Sequence, residues 1–213
     1  MYASQVNDQR LTFAVSGKLW QRSLVMIDSE TKSLWSHILG EAMDGPLKGT
    51  NLETIPSIIT DWKSWRRDHP NSSVLDMSKT AANYNVEFYT NPSKWVIGMV
   101  EGGKARAWPM DQLMVNPVAN DQLGGTSVVL VFSPQNMTTY VYRRDLGDKT
   151  LTFELRNHQL FDKETDSQWD AATGEAQTGP LKGKRLTAMV GILSFLRPWS
   201  FFHPDTTFWR AGG

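Results

Sequence analysis

The sequence predicts a mainly β protein with a few short helices (β-rich α+β), built as a tandem repeat of two related modules, the first of which is incomplete. Three observations predict it: an internal duplication, a series of apolar stretches of strand length, and paired glycines between some of those stretches. The duplication comes first, because a repeat sets the architecture and shows which residues one structural unit needs twice.

The duplication is visible when the chain is shifted along itself by 134 residues. Asp28–Asn71 then aligns with Asp162–Asp205 without a gap, with 18 of 44 positions identical. Further upstream the offset is 140, because Leu11-Thr12-Phe13 matches Leu151-Thr152-Phe153, so the first copy has six extra residues (140 − 134) within 18–25. The first copy has no counterpart of residues 94–141. We therefore predict a first module at 1–71 (module one), truncated at its N-terminus, a polar linker at 72–93, and a second module at 94–213 (module two).

Strands are predicted from short apolar stretches bounded by Gly, Asn, Asp or Pro. Gly102-Gly103 and Gly124-Gly125 lie between such stretches, and paired glycines provide the positive φ angles of tight turns, so two antiparallel hairpins are expected. The predicted strands are Leu11–Val15, Leu24–Ile27, Trp95–Val100, Ala105–Trp108, Val128–Phe132, Thr139–Tyr142 and Leu151–Leu155.

One helix is predicted to begin near Thr60, as its N-cap, and to end before Pro70, with Trp62 and Trp65 on one face. The equivalent stretch of module two contains Pro198, which predicts a shorter helix or one that starts after the proline. A further helical turn is expected from 109 to 114.

Composition excludes several classes of function. Lys plus Arg equals Asp plus Glu, 22 against 22, so neither a nucleic-acid surface nor binding to an anionic membrane is favoured. The chain has no cysteine, which excludes thiol catalysis and cysteine-ligated zinc. No apolar stretch has the length of a membrane span, and the chain as given starts without a signal peptide. We predict no cofactor, and the cellular location stays open, with an extracytoplasmic one expected only if the true N-terminus lies further upstream.

The repeated residues are interpreted as scaffold, since both copies need them. GPLKG (45–49 and 179–183) lacks the remaining elements of a phosphate-binding loop and is predicted to be a turn. The acidic residues of the repeated DxET and GEA motifs are expected to accept backbone N–H groups at turns. His69 and His203 precede a proline near a helix end and are expected to cap it. The predicted structural residues are Trp35, Gly45, Pro46, Gly49, His69, Trp169, Gly179, Pro180, Gly183 and His203.

The histidines outside the repeat are the better candidates for chemistry. His37 aligns with Ala171, and His158 lies where the copies differ in length. If module one has acquired a catalytic or metal site, His37 with the nearby Glu41 is where we expect it, although two histidines without a fixed spacing do not define a metal site.

The order of motifs resembles one known family. Asp28–Leu52 and Trp62–Leu75, followed by GKARAWP (103–109), VANDQLGG (118–125) and Arg143–Phe153, are similar to the uncharacterised bacterial and archaeal family called Domain of Unknown Function 3179. The resemblance brings no established activity. It implies a Tyr-Cys-Pro-Leu-Cys stretch at a place where this chain has Phe132-Ser133-Pro134-Gln135-Asn136, so any thiol or metal chemistry of the family is not expected of this chain alone.

Two functions are therefore predicted from different classes. The first is a non-catalytic binding or interaction module that forms a homodimer by strand pairing or accepts a strand from a protein partner, because missing strands leave an unpaired edge. The alternative is an enzyme or metal-binding protein whose site uses His37, Glu41 and Ser133, or a fragment of a thiol- or metal-dependent family member.

Overall fold

The computed structural model of the chain describes residues 1–74 and 90–212. Most of the predicted linker, from 75 to 89, and Leu75 of the family motif lie outside the described residues. Within the described part the protein is mainly β, with three short α-helices and a 3-10 turn at Pro92–Lys94. No helix in that part is long and apolar enough to cross a membrane.

Residues 1–74 form a small hairpin, one four-stranded antiparallel sheet and one helix. The hairpin pairs β1 with β2, and the sheet has the order β3-β4-β5-β6. Its core contains Val6, Leu11, Trp35, Ala42 and Leu52. The elements are β1 (Gln5–Val6), β2 (Gln9–Arg10), β3 (Phe13–Trp20), β4 (Ser23–Asp28), β5 (Leu34–Ser36), β6 (Ala42–Asp44) and α1 (Trp62–Asp68).

Module two begins with five strands, and within the described residues module one has a counterpart only of the end of the fifth, where Tyr2 bridges to Thr54 as Tyr142 pairs with Ala188. The five strands are β7 (Trp95–Glu101), β8 (Lys104–Pro109), β9 (Val118–Leu123), β10 (Thr126–Ser133) and β11 (Thr138–Arg143), with α2 (Met110–Val115) between β8 and β9.

The rest of module two repeats the pattern of module one. It contains β12 (Asp145–Leu146), β13 (Lys149–Thr150), β14 (Phe153–Arg156), β15 (Gln159–Asp162), β16 (Gln168–Asp170), β17 (Glu175–Ala176), β18 (Thr187–Ala188), β19 (Ile192–Phe195), α3 (Leu196–Phe202) and β20 (Thr207–Phe208). The sheets have the orders β14-β15-β16-β17, β18-β11-β10-β9 and β19-β7-β8-β20.

The sheet β18-β11-β10-β9 is buried on both faces, which explains why Val128–Phe132 of β10 is apolar at every position. Val128, Leu130 and Phe132 point into a core with Met110 and Trp108. Val129 and Val131 point the other way, into the core that contains Trp169 and Phe153. Period-two alternation of side chains along a strand produces this division.

Both predicted Gly-Gly hairpins are confirmed. Glu101 pairs with Lys104, and Leu123 pairs with Thr126, each across a two-glycine turn. The two turns also pack on each other, since a Cβ on Gly124 would lie 2.0 Å from the carbonyl oxygen of Glu101. Side chains are therefore excluded there by contact as well as by positive φ.

The helix predictions need two corrections. The N-cap of α1 is Asp61, whose carboxylate accepts the N–H of Ser64, and not Thr60. The expectation that Pro198 shortens or delays α3 is wrong, because α3 spans Leu196–Phe202 and matches α1 residue for residue. Pro198 is the third residue of the helix, where its N–H would have no intrahelical partner in any case.

The six extra residues of module one lengthen one hairpin. β3 and β4 contain eight and six residues, whereas β14 and β15 contain four each. The longer hairpin carries Trp20 to α3 of module two, where its ring centroid lies 4.7 Å from that of Phe202. The insertion therefore joins the two modules.

Candidate interaction face

The repeated DxETxSxW motif is a hydrogen-bonded network that occurs twice. Asp28 accepts the indole N–H of Trp35 at 2.8 Å and the backbone N–H of Thr31 at 2.5 Å. In module two, Asp162 makes the same bonds to Trp169 and Thr165 at 2.8 and 2.6 Å. Both carboxylates are fully buried, so their oxygens are used for structure and are not exposed to a ligand.

The ionisation of these carboxylates follows from their partners. Burial opposes the charged form of Asp28, but hydrogen bonds from Trp35 and Thr31 outweigh it and hold the pKa of Asp28 below its ordinary value. The backbone N–H of Thr12 donates to Glu30 at 2.8 Å and lowers the pKa of that carboxyl. Glu164 accepts the N–H of Thr152 in the same way.

The GPLKG segments are turns that pack against the same network. The backbone N–H of Leu47 donates to the Ser33 hydroxyl, and Leu181 donates to Ser167, both at 3.1 Å. A Cβ on Gly45 would lie 2.7 Å from Cα of Ser33. The glycines at both ends of each segment have positive φ angles. Gly45 and Gly179 directly precede Pro46 and Pro180, and Gly49 and Gly183 follow three residues after these prolines.

His69 and His203 stand at the C-cap positions of α1 and α3, where their backbone N–H groups donate to the carbonyls of Trp65 and Trp199. Their rings do not cap the helices; they pack against the same tryptophans at interplanar angles of 35° and 40°, with ring centroids 4.0 and 4.1 Å apart. Nε2 of His203 is buried without a hydrogen-bond partner in the described structure, and burial lowers the pKa of His203.

The surroundings of the two equivalent helices differ. Trp199 is completely buried under β7, where a Cβ on Gly98 would lie 2.4 Å from its ring. Trp65 is only half-buried, because the described part of module one has no strand at that place. Trp62 is 42% exposed and Ile59 is 50% exposed. We call the surface formed by Ile58, Ile59, Trp62 and Trp65 the open face.

The backbone beside the open face also lacks a partner. In module two, Ile192–Phe195 pairs with β7 along its whole length. The equivalent residues 58–61 form no strand, and within the described residues the N–H and C=O groups of Ile58 and Ile59 make no hydrogen bond. Unpaired backbone groups next to exposed apolar side chains are the features of a sheet edge that accepts another strand.

A cavity of about 580 Å³ lies between the modules, beside the open face. Equivalent residues of the two modules line it, among them Tyr2 with Tyr142, Ile58 with Ile192, and Ile59 with Leu193. Each tyrosine hydroxyl donates to two backbone carbonyls of its own module. The two copies therefore face each other through equivalent surfaces, as a pseudo-twofold arrangement requires.

Other contacts between the modules also involve equivalent residues. Ile38 of module one belongs to the buried cluster around Trp199 of module two. Ala172, the equivalent of Ile38, lines the same cavities as Trp65, the equivalent of Trp199. A second cavity, of about 870 Å³, lies between α1 and the β10–β11 turn, where the amide of Asn136 donates to the hydroxyl of Thr60 at 3.5 Å.

The candidate catalytic residues do not share a cavity. His37 lines the cavity between the modules, whereas Ser133 lines the second cavity together with His69 and His158. Glu41 lines neither cavity and forms an isolated bridge to Asn51. Among the described residues, no group of three or more His, Asp and Glu side chains could hold a metal ion.

The immediate partner of His37 is a serine. Its Nδ1 lies 3.0 Å from the hydroxyl of Ser23. Burial, and secondarily the charge of the N-terminal ammonium, lowers the pKa of His37. The neutral form of the ring is therefore favoured, and His37 is one of several polar side chains that line the cavity, together with Thr54, Ser57 and Thr139.

The open face was the feature that residue types alone did not locate. The sequence alignment predicted an unpaired edge, because residues 94–141 have no counterpart in the first copy, but residues 58–62 look like the end of an ordinary apolar strand and the start of a helix. The open face is recognised by comparison with module two, where Ile192–Phe195 pairs with β7. That pairing is visible only in the folded structure.

Two successive stretches of the chain match one family of sequences. The family described as "protein of unknown function (DUF3179)" matches residues 1–92 and again residues 79–210. The chain belongs to this family. The double match of the DUF3179 pattern agrees with the two-module repeat. No curated protein and no solved structure was found that matches the chain.

The double match to the DUF3179 family agrees with hydrogen-bond networks that occur twice, but the family description assigns no activity to the chain. The positions where the resemblance implied cysteines hold Ser133 and Asn136. Ser133 is the last residue of β10, and Asn136 lies in the β10–β11 turn. The hydroxyl of Ser133 donates to the side chain of Gln135 at 3.1 Å.

Proposed function

We propose that this chain is a non-catalytic interaction module that binds a partner polypeptide by strand pairing at its open face. The observation that carries the proposal is the difference between two equivalent segments. Ile192–Phe195 is paired with β7, whereas in the described part of the chain the backbone N–H and C=O groups of Ile58 and Ile59 are unpaired, and Ile59 is 50% exposed. Strand addition would satisfy the backbone groups and cover apolar surface in one step.

The polar residues support this proposal over an enzymatic one. The buried carboxylates of both modules are occupied by tryptophan and threonine donors, and His37, Glu41 and Ser133 do not line a common cavity. The enzymatic alternative stays a prediction with its own test. Stoichiometric zinc, copper or iron in the purified protein, lost in His37→Ala, would support it against the interaction module.

Light scattering after size-exclusion chromatography tests the proposal. Without its partner, an open edge tends to pair with another copy, so we expect self-association at micromolar concentration. Ile59→Lys places a charge at the edge and should shift the protein to the monomeric mass. Val115→Lys is the matched control, since Val115 is 77% exposed at the end of α2 and lines neither cavity, and its substitution should leave the mass unchanged. A wild-type monomer at micromolar concentration, or equal effects of the two lysines, would contradict the proposal.

A further inference from the structure

We propose that the polypeptide accepted at the open face is a β-hairpin with the geometry of β7–β8, donated by another chain, with a glycine above Trp65. This inference rests on the proposed function and names the partner's chemistry. The template for it is present in the molecule, because module two covers the equivalent surface with its own hairpin.

The template fixes the strand directions. In module two, β7 pairs antiparallel with β19, with Gly98 opposite Ile192 and Trp95 opposite Phe195. The second strand of the hairpin, β8, pairs in parallel with β20. The hairpin thus holds both segments that flank α3, and Trp199 lies beneath its first strand.

The same register can be transferred to module one through the 134-residue offset. The first donated strand would run antiparallel to residues 58–61, with its glycine opposite Ile58. The second would pair in parallel with Ser73 and Val74, the equivalents of Thr207 and Phe208. Val74 is 61% exposed, in agreement with an unfilled place at that position.

The glycine requirement comes from the tryptophan. The indole N–H of Trp199 donates to the hydroxyl of Thr206 at 3.0 Å, and Trp65 makes the equivalent bond to Ser72 at 2.9 Å. His203 and His69 pack against the two rings at nearly equal distances and tilts. Both indoles are therefore held in the same local position, and a side chain above Trp65 would overlap the ring as it would at Gly98.

One position should distinguish the partner from β7 itself. In module two, Trp95 stacks on Phe195 with ring centroids 4.0 Å apart. The place of Phe195 is taken in module one by Asp61, whose carboxylate accepts from Ser64 at the start of α1. A cationic residue opposite Asp61 complements that charge, so the geometry favours Lys or Arg over Trp at the first position of the donated strand.

Backbone-cyclised peptides of residues 95–109 test the inference with the full chain. The probe carries Trp95→Arg, and its matched control carries Trp95→Arg with Gly98→Val. Fluorescence anisotropy of labelled peptide measures affinity, and hydrogen–deuterium exchange locates the site. We expect the probe to bind, to slow exchange at residues 58–61 without changing it at 192–195, and to bind more tightly than the control by at least about tenfold.

The outcomes separate this inference from the proposed function. Equal binding of probe and control, with slowed exchange at 58–61, would retain strand pairing and overturn the glycine-bearing hairpin. No slowing at 58–61 by either peptide would also overturn the hairpin, while the light-scattering comparison of Ile59→Lys with Val115→Lys still decides the proposed function. Self-association that excludes the probe would identify a second copy of the chain as the occupant, and would overturn the donated hairpin.

Discussion

At the scale of single residues, the repeat shows what each buried polar group does. A side chain that makes the same bonds in both modules serves the scaffold, as Asp28 and Asp162 do with their tryptophan and threonine partners. The sequence could predict this role, because the duplication shows that both copies need the same acids. It could not predict that the donor is a tryptophan seven residues downstream, since that contact depends on how β4 and β5 pair.

Asp28→Asn should destabilise the protein by about 2 kcal/mol, because the amide brings a donor among groups that already donate. The pKa of Asp28 is lowered in the folded state, so its stabilisation is present above the unfolded value of about 3.9 and lost as pH falls through the folded value. Urea denaturation between neutral and acidic pH should therefore show a flatter acid limb for Asp28→Asn. Asp162→Asn is the matched variant, and a loss at neutral pH in only one of the two would contradict equivalent roles.

His203 should also make the stability depend on pH, but through burial of its ring and not through hydrogen bonds to a charged group. Burial lowers its folded pKa, so the neutral ring is favoured in the folded protein, and stability should fall as pH drops below the unfolded value of about 6.5. His203→Phe keeps a ring on Trp199 and removes the titration. We expect a smaller loss of stability between neutral and mildly acidic pH in this variant, measured by thermal unfolding. An unchanged pH slope would show that His203 does not respond to pH as its burial implies.

At the scale of elements, the sequence predicted the hairpins well because glycine pairs determine turn geometry locally. The sequence did not predict β9 or most of the short strands of the repeat. Those strands have only two or three residues, which are extended because they pair with a neighbouring strand and not because of their own propensity. The proline in α3 misled for a related reason. Its effect depends on its place in the helix, and the first turn tolerates it.

The lengthened β3–β4 hairpin carries a prediction of its own. Trp20→Ala removes the ring contact with Phe202 and should reduce the free energy of unfolding by about 1–2 kcal/mol. Leu19→Ala on the same hairpin is the control, since Leu19 is 70% exposed and its loss should cost less than about 0.5 kcal/mol. Chemical denaturation measures both. Equal effects would mean that the hairpin does not join the modules through Trp20.

At the scale of the whole molecule, one module is present twice, and the surface that β7 covers in the second copy is open in the described part of the first. The duplication and the absence of a counterpart to 94–141 could be predicted from sequence alone. The arrangement across the pseudo-twofold could not, because Ile38 meets Trp199 only after both modules have folded. The open face is found by combining the sequence repeat with the folded structure, since module two shows what covers the equivalent surface.

Hydrogen–deuterium exchange in the dilute, monomeric chain tests this central claim most directly. β19 is an edge strand, so alternate amides within Ile192–Phe195 donate to β7 and should exchange slowly, whereas the amides at the equivalent positions of residues 58–61 should exchange orders of magnitude faster. The amides of Leu47 and Leu181, each donated to a serine of the duplicated network, should exchange at similar rates and act as the internal control. Slow exchange at 58–61 in the monomer, comparable with that at 192–195, would show that the surface at these residues is already covered and would contradict an open face in module one.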